Sequence, residues 1–585
     1  MEELYITRVH SVDSLFSLVL SKPLNFRGHY SDKTSHTGFA TDLTELRSRW
    51  ENRMIYTIIS RAYRRAGADS PAVKLPVYLA KEEKTLRDEL KKELNRVTRI
   101  ITDKDRFRKK LEQLYLHAIS TAYDPHTVYL TPSQKENFQS DLSGMELSYG
   151  FEISGEEEGD VFISTIIPGG PAWRSGELHK KDVILQLQWK GQAPFDITTK
   201  NADETESLIF RSNINELAVK VRKPDGTTRT VTIIREKIEQ EEEAVKGFIL
   251  AGEKKIGYIA LPDFYTQWEE DEGSGCANDV AREIILLKRE NIEGLVLDLR
   301  FNGGGSLYEA LQLAGIFINE GPLCGIRKRD GKVTFLKDPN RGTIYDGPLV
   351  VLINNQSASA SELVAAALQD YSRAVIVGSP SYGKATMQNI FPADSSKGME
   401  DRSANGYIKL TTGKLYRVNG QTAQMSGVTP DIQLPDAFDG LKLGERFEQY
   451  ALAPDSIEKN KYYSSGTPLP IAALRETSRA RVSGEKLFRE ISSLNGLNQS
   501  RERIPLDPVE FELWSAGNNA SQSEGDHASV HSRFSVQNHN GSTQAVQLAA
   551  YYQEINVARL RSLASDIYIA EAYSITTDLI RQIKK

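Results

Sequence analysis

The sequence predicts a multidomain α+β protein, and three patterns along the chain support this prediction. Apolar residues recur at spacings of three and four near both ends, which is typical of amphipathic helices. After the first helices come short β-rich runs separated by Gly, Pro and Asp turns, and then strands alternate with helices. We therefore predict a helical region over 1–141, a small β domain over 142–238, a layered α/β core over 239–437 and a helical region over 438–585.

Composition restricts the classes of function. The 585 residues are 39% hydrophobic and 26% charged, which is typical of a globular chain. A formal net charge of −6 provides no general basic field, so no nucleic-acid partner is predicted. Cys276 and Cys324 lie in no CxxC pattern, so the sequence predicts neither a disulfide framework nor a metal site.

The sequence predicts no transmembrane segment, because no run approaches the ~20 apolar residues that a membrane-spanning helix needs. The apolar run 15–20 follows Glu2, Glu3 and Asp13 and precedes no small-residue cleavage site, so it is a poor signal peptide. Either the chain stays in the cytoplasm, or the residues that direct export are missing from this version. The sequence alone leaves both open.

In the N-terminal region, helical periodicity covers 43–65 and 83–123 and breaks at Asp124-Pro125-His126. The β domain is predicted from four short runs separated by turns, at 161–163, 182–187, 217–221 and 230–234. The predicted strands of the α/β core are 255–261, 294–299, 349–353 and 374–377, and its predicted helices are 278–288, 307–318 and 360–369. Beyond the core, the Ser/Asn/Gly-rich stretch 515–544 is predicted as disordered or a mobile loop, and 545–583 as an amphipathic segment that folds back onto the body.

The first candidate for chemistry is the turn that follows the predicted strand 349–353. It leads through Ser359 into an Ala-rich helix, whose first N–H groups are unpaired and whose dipole is positive at that end. A serine there can expose a nucleophilic Oγ while neighbouring amides bind an oxyanion. However, Ser359 and Glu362 also fit a capping box, and this segment alone favours that structural interpretation. Spacing does not separate Ser359 from Ser357 or Ser361.

A second turn with three consecutive glycines lies within 298–306, after another predicted strand, and it allows a ligand to approach the backbone closely. Two such turns at strand ends of one sheet favour an active site more than either alone. Activation of a serine needs a base, usually histidine. Because no histidine lies between 180 and 526, a Ser-His-Asp triad within the core is excluded, and His126 or His179 would have to reach in from another domain. Lys384 is the alternative base, since burial can lower a lysine pKa from about 10.4 by several units.

The segment from Gly378 to Lys384 also matches the G-x-x-x-x-G-K pattern of phosphate-binding loops. That loop requires Ser or Thr at the next position to bind magnesium, followed by a helix that faces the phosphates. Ala385 stands at that position, and Pro392 allows little helix. We therefore predict no nucleotide binding.

Taken together, these motifs resemble the C-terminal processing serine proteases, and most closely their long bacterial tail-specific form. The resemblance extends over most of the chain. The matching segments are 123–130 at the junction before the PDZ domain, 167–172 and 181–184 in that domain, 357–362, 369–370, 383–384 and position 388 around the implied catalytic residues, 415–420 and 427–431 at the end of the core, and 571–573 in the C-terminal helix. The resemblance implies a PDZ-like β domain and a crotonase-like protease core between the two helical regions. Phe301 and Ala385 depart from the family pattern.

The resemblance implies that Ser359 is the nucleophile and Lys384 the general base, and their separation of 25 residues matches the family. It also implies that Gln388 helps to orient the lysine, and that Asp370 and Glu362 are acids that support the site.

Two backbone amides, those of Gly305 and Ala360, are implied to form the oxyanion hole. The glycine assignment can shift by one within 303–305. No metal, nucleotide or organic cofactor is implied.

The implied substrates are proteins with unstructured, apolar C-termini. A PDZ domain binds a terminal carboxylate with loop amides while the peptide pairs with a strand edge. The corresponding residues here are Tyr149, Gly150, Phe151 and Ile153, although Phe151 and Ile153 could also be core residues of a β domain that is only a spacer. Cleavage would occur without ATP. An inactive PDZ-containing binding or scaffold protein is the alternative function. The family suggests the periplasm or cell envelope, and the need for an adaptor protein is left open.

Overall fold

The computed structural model describes residues 14–30, 40–69, 74–102, 104–143, 145–155, 160–197, 202–212, 214–239, 245–266, 275–338, 340–398, 406–498, 504–519, 533–541 and 550–583. Within these ranges, no helix combines the length and the apolar character needed to span a bilayer. The fold class is the predicted one: a helical N-terminal region, a small β domain and an α/β core with mixed sheets, to which C-terminal helices are added.

The N-terminal region is built from long helices and receives part of the C-terminal chain. Its elements are β1 (His29–Tyr30), α1 (Leu43–Asp69), α2 (Leu75–Thr102), α3 (Lys104–Thr121), β2 (Val128–Leu130) and α4 (Pro132–Asp141). Strand β1 pairs with β21 (Ile504–Pro505), and Leu506 and Phe511 of the following segment enter the same apolar cluster. Phe16, Val19 and Leu20 are also buried there, so the N-terminal apolar run packs into this core.

The β domain is a twisted antiparallel sheet with two short helices. Its elements are β3 (Met145–Ser148), β4 (Phe151–Ser154), β5 (Phe162–Ile166), α5 (Pro171–Ser175), β6 (Val183–Trp189), β7 (Phe195–Asp196), α6 (Ala202–Arg211), β8 (Glu216–Arg222), β9 (Thr228–Ile234) and β10 (Glu236–Glu239). The sheet order is β4-β5-β6-β8-β9, so β4 lies at an edge, and β3 pairs separately with β10.

A seven-stranded sheet forms the centre of the α/β core, in the order β20-β17-β16-β13-β12-β11-β22. Its strands are β11 (Lys246–Gly252), β12 (Lys255–Ala260), β13 (Gly294–Asp298), β16 (Leu349–Ile353), β17 (Val375–Gly378), β20 (Ile432–Gln433) and β22 (Phe534–Asn538). The run from β12 to β20 is parallel. A second, antiparallel sheet contains β14 (Pro322–Lys328), β15 (Val333–Lys337), β18 (Thr386–Pro392) and β19 (Tyr407–Tyr416), and β2 joins it by pairing with β19.

Different parts of the chain cover the two faces of the seven-stranded sheet. One face packs against helices of the core itself, which are α7 (Cys276–Arg289), α8 (Leu307–Gly315) and α9 (Ala360–Asp370). The other face packs against the C-terminal helices α10 (Ile471–Gly484), α11 (Lys486–Asn498), α13 (Ala550–Ser565) and α14 (Ile567–Ile583). In β16, Val351 points into the first layer and Val350 into the second, as a strand alternation requires.

One prediction about the C-terminal region is wrong in part. The stretch 515–544 was expected to be disordered or mobile, but its first residues complete helix α12 (Pro508–Asn519), and Phe534–Asn538 form β22, paired antiparallel with β11. The strand forms because Phe534 is buried and Val536 is partly buried, while the residues between them are polar and exposed. That alternation was hidden within a polar composition. Residues 520–532 and 542–549 lie outside the described ranges.

Candidate active site

Three turns meet at one edge of the seven-stranded sheet. Strands β13, β16 and β17 are parallel neighbours, so their carboxyl ends lie side by side. The Gly-rich turn follows β13, the turn with Ser359 follows β16, and the segment with Lys384 follows β17. In open α/β sheets, ligands bind in the crevice outside the carboxyl ends of the strands. The topology therefore brings together the two turns and the lysine that the sequence singled out.

Ser359 occupies a sharp turn at the start of α9. Its φ of 55° and ψ of −106° are unusual for a residue with a side chain, and such strain persists only where the surroundings hold it. Ser357 and Ser361 are fully buried, and their hydroxyls donate to the carbonyls of Leu299 (2.8 Å) and Asn302 (3.0 Å). Of the three serines, Ser359 alone lines the open cleft described below. Spacing could not make this distinction.

The Gly-rich turn packs directly against Ser359. A Cβ at Gly304 would lie 2.8 Å from Ser359 Cβ, so the backbone can approach only because that residue is glycine. The Gly304 N–H donates to Asn302 Oδ1 (2.9 Å). In contrast, the N–H groups of Gly305 and Ala360 have no hydrogen-bond acceptor among the described residues. These two amides therefore remain available to a ligand, whereas that of Gly304 does not.

Lys384 lies in the short connection between β17 and β18. Burial lowers the pKa of its ammonium to about 8, the positive charge of Lys409 acts in the same direction, and the carboxylates of Glu445, Glu362 and Asp124 oppose both. With that pKa, about one-fifth of the molecules carry a neutral Lys384 at pH 7.4, against about one in a thousand for an exposed lysine.

Glu362 joins two segments: the turn that ends at Ser359 (354–359, the serine turn) and the connection that carries Lys384 (379–385, the lysine turn). Its carboxylate accepts the backbone N–H groups of Ser359 (2.8 Å), Gly383 (2.7 Å) and Lys384 (2.8 Å), and the hydroxyl of Ser381 (2.6 Å). Burial raises its pKa to about 7, although the four hydrogen bonds favour the charged form. The bond to Ser359 is the glutamate half of the capping box. The capping interpretation and the active-site interpretation are therefore compatible, because one side chain serves both.

Ser359 and Lys384 line the same cleft, whose empty space is about 360 Å³ including its mouth. The remaining lining is mostly apolar: Leu323, Cys324, Leu363, Ala366, Ala385, Leu415, Tyr416 and Ala423, with Glu362 and Arg417. Within the described part of the chain, no hydrogen bond joins Ser359 Oγ to Lys384 Nζ. The two groups thus share a cavity without a hydrogen bond between these described side chains.

The supporting residues implied by the resemblance lie in less direct positions. Gln388 was expected to orient Lys384, but its amide donates to Thr386 Oγ1 (2.9 Å) and Thr411 Oγ1 (3.1 Å), and no described hydrogen bond joins it to the lysine. Asp370 lies at the far end of α9, where it accepts from Arg417 Nη2 (2.6 Å). Arg417 lines the cleft, so the Asp370 carboxylate is connected to the cleft through this arginine.

Two residues of the site were missed by sequence reasoning. Gln424 accepts the N–H of Ala385 (2.8 Å) and donates to Glu445 Oε1 (3.0 Å), a fully buried carboxylate. Glu445 in turn contacts His126 Nε2 (2.7 Å). No local pattern marks these residues, because their partners are distant in sequence. His126, a candidate base from another domain, is thus hydrogen-bonded to Glu445 and is connected to the lysine turn through Glu445 and Gln424.

His179, the other candidate base, lies in the β domain beside Lys223 (3.2 Å). The segment after Lys384 continues as strand β18 instead of the helix that a phosphate-binding loop requires.

The residues expected to bind a peptide tail are largely engaged in packing. Tyr149 and Phe151 are buried in the β-domain core, and Ile153 packs against it. Tyr149 also donates its hydroxyl to the Ile214 carbonyl (2.6 Å), and the Gly150 N–H donates to Ser148 Oγ (3.1 Å). Strand β4 nevertheless lies at the edge of its sheet, so its outer side offers the geometry for an added strand.

The arrangement is typical of one class of protein, the serine hydrolases: a serine at a helix N-terminus shares a cleft with a desolvated lysine. Comparisons with known proteins support it. Residues 255–434 match the model of peptidase family S41, residues 1–133 match the tail specific protease N-terminal domain, and residues 142–192 match the PDZ domain. The chain belongs to peptidase family S41, the family of the C-terminal processing proteases.

Two curated relatives illustrate the similarity. The tail-specific protease of Haemophilus influenzae is 34% identical over 402 residues, which cover 67% of this chain and 56% of that protein. The carboxy-terminal-processing protease of Bartonella bacilliformis is 31% identical over 351 residues, covering 57% of this chain and 74% of the relative. The chain thus matches little more than half the length of the first. Among solved structures, the photosystem II D1 C-terminal processing protease is 23% identical, and the match covers 65% of this chain and 93% of that protein with a TM-score of 0.31.

Proposed function

We propose that this chain is an ATP-independent serine endopeptidase that cleaves proteins selected by their C-terminal tails. One observation carries the proposal. Ser359 and Lys384 follow adjacent parallel strands, line one cleft, and are tied through their backbone amides to the same Glu362 carboxylate. The low lysine pKa gives that amine the proton affinity that a general base needs near neutral pH.

The reaction follows from these positions. Ser359 Oγ attacks the scissile carbonyl while neutral Lys384 accepts the hydroxyl proton. The amides of Gly305 and Ala360 stabilise the oxyanion of the tetrahedral intermediate, and the position of Ala360 at a helix N-terminus adds a favourable dipole. Lys384 then gives its proton to the leaving amine. Water hydrolyses the acyl-enzyme with Lys384 again acting as base. No metal or nucleotide takes part in any of these steps.

Substrate binding is expected to complete the dyad. Catalytic hydrogen bonds are often long or absent before a substrate binds and shorten in the Michaelis complex. A peptide in the cleft would displace water from Lys384 and bring its amine toward Ser359 Oγ. A mostly apolar lining favours short apolar side chains at the cleaved position.

Tail selection is assigned to the β domain. The outer edge of β4 would pair with an extended tail, and the loop at Tyr149 and Gly150 would receive its terminal carboxylate. The partners we propose are unstructured proteins with apolar C-termini. The resemblance to envelope proteases also favours the periplasm as the site of action.

Two variants, Ser359→Ala and Lys384→Arg, test the proposal. The substrate is an unfolded protein with an apolar tail, and an identical protein with a charged tail is the control. The wild type should cleave the first faster than the second, without added ATP. Both variants should lose at least ~10³-fold in activity, because alanine removes the nucleophile and arginine cannot deprotonate. Full activity of either variant would contradict the dyad, and equal cleavage of both tails would contradict tail selection.

A further inference from the structure

A largely buried charged cluster lies at the base of the Gly-rich turn, outside the groups that take part in the proposed reaction. Asp298 ends β13, and the guanidinium of Arg300 donates to it through Nε (3.0 Å) and Nη2 (2.7 Å). The same Nη2 donates to Asp566 Oδ2 (2.8 Å). Tyr258 donates its hydroxyl to Asp298 Oδ2 (2.8 Å). The three charged side chains therefore form one hydrogen-bonded unit.

The cluster leads directly into the Gly-rich turn, because Arg300 is the residue before that turn's first residues. Arg300 is followed by Phe301, which has a φ of 64°, and by Asn302, which is fully buried. The Asn302 carbonyl accepts the Ala358 N–H (3.0 Å), and its side chain accepts the Gly304 N–H (2.9 Å). The turn is thus held by Asn302 on the side of the serine and by Arg300 on the side of the sheet. A shift of the Arg300 side chain would move the backbone that carries Gly305.

One of the two carboxylates comes from the C-terminal helix, more than 260 positions away. Asp566 precedes α14, and its Oδ1 accepts the N–H groups of Tyr568 (2.8 Å) and Ile569 (3.0 Å), so it also caps that helix. The Arg300 guanidinium lies over the Tyr568 ring, 5.3 Å from its centroid. Helix α14 packs against β13 and β16, the strands that precede both turns. The end of the chain is therefore in contact with the base of the active site.

Opposite charges hold Arg300 between Asp298 and Asp566. Burial alone would lower the pKa of Arg300, but Asp298 and Asp566 outweigh it and raise that pKa well above its usual value. Burial and the charge of Asp298 likewise raise the pKa of Tyr258, which stays neutral. Removal of one carboxylate would leave the positive charge of Arg300 poorly compensated in a largely buried place, which destabilises the fold there.

We propose that Asp566 is a positioning residue for the oxyanion hole: through Arg300 it sets the turn that presents the Gly305 amide, so that the C-terminal helix completes the active site. This rests on the proposed peptidase function. Placement matters because donors aimed at the developing oxyanion lose much of their effect when they are displaced by a fraction of an ångström.

The test compares Asp566→Asn with a matched control on the same helix. Asparagine keeps an oxygen for the helix cap but removes the charge that binds Arg300. The control is Glu571→Gln: Glu571 is buried and accepts Arg481 Nε (3.0 Å) and Nη2 (2.8 Å), yet it lies away from the Gly-rich turn. Asp566→Ser is a second variant, because serine also caps helices and cannot reach Arg300 in the same way.

We expect Asp566→Asn and Asp566→Ser to lower kcat about tenfold with KM unchanged, since the lost interaction acts in the transition state. Both should also bind a peptide boronate, which forms a tetrahedral adduct with Ser359, about tenfold more weakly. Glu571→Gln should keep wild-type kcat despite an equal or greater loss of Tm. Wild-type kcat in both Asp566 variants, or losses of kcat that follow Tm in all three, would overturn the inference alone. A wild-type protein without peptidase activity would overturn the proposed function and this inference together.

Discussion

The serine turn and the lysine turn are held in different ways. The serine turn connects β16 of the seven-stranded sheet with α9, which packs on one face of that sheet. Its hydrogen bonds go to the neighbouring turn of the same sheet, at Leu299 and Asn302. The lysine turn connects β17 in the seven-stranded sheet with β18 in the second sheet. Its geometry therefore depends on how two sheets sit against each other.

The partners of the lysine turn reflect that difference. They come from α9 and from the loop with Gln424. Through Glu445, that loop is connected to the junction that carries Asp124 and His126. The position of Ser359 thus depends on turns at the end of one sheet, while the position of Lys384 depends on contacts that span two sheets. Mutations that shift the two sheets relative to each other should therefore act through Lys384 more than through Ser359.

Outside the proposed dyad itself, the largest effect should come from Glu362, which accepts backbone N–H groups of both turns. In Glu362→Gln, an NH₂ group replaces one acceptor oxygen and faces the backbone N–H groups that the carboxylate now accepts. We expect kcat/KM to fall by ~10²-fold or more, since loss of a correctly placed general base costs about 10²–10⁴.

A matched control for this variant is Glu309→Gln. Glu309 is also a buried carboxylate that accepts a helix N–H, that of Ala277 (2.9 Å), but it contacts neither turn. It should lose stability with wild-type kcat/KM. Equal activity losses in the two variants would remove the special role of Glu362.

A smaller effect is expected at the junction. His126→Phe leaves the buried Glu445 without its imidazole partner, which should cost about 1–3 kcal/mol of the free energy of unfolding. Because Glu445 holds Gln424, which holds Ala385, activity should fall about threefold to tenfold. Denaturant unfolding and steady-state kinetics measure both quantities.

His179→Phe is the control for the junction, since that residue is exposed in the β domain. It should leave cleavage of a tail-less peptide unchanged. An unchanged kcat in His126→Phe would show that the lysine turn does not depend on this junction.

The smallest effect is a shift in the pH profile. In the proposed mechanism the base is neutral Lys384, so kcat/KM should rise with pH through about 8 and level off above it. Lys409 carries a positive charge that disfavours protonated Lys384, so Lys409→Gln should raise the pKa of Lys384 and move the rise to higher pH. Lys414→Gln is the control, because Lys414 lies on the same strand but pairs with Asp455 (3.3 Å). A midpoint unmoved in Lys409→Gln, or moved equally in both, would contradict this electrostatic account.

Sequence reasoning succeeded where a function depends on contiguous residues. The order of regions, the alternating strands and helices of the core and the turn at Ser359 followed from periodicity and small-residue patterns. It was wrong about part of 515–544, where β22 completes the sheet, because five residues of alternating character carry little signal inside a polar stretch. It missed Gln424 and Glu445, whose roles exist only through partners far along the chain.

By itself, the sequence determined which side chains are candidates for the chemistry: serines at a helix start, a lysine about 25 positions later and a run of glycines after a strand. Tertiary structure decided the rest. It distinguished Ser359 from Ser357 and Ser361 by burying the other two. It lowered the pKa of Lys384 by desolvation, and it brought Asp566 to the base of the Gly-rich turn. The reason is physical: local patterns set backbone conformation, whereas burial and charge pairing arise only when distant segments pack together.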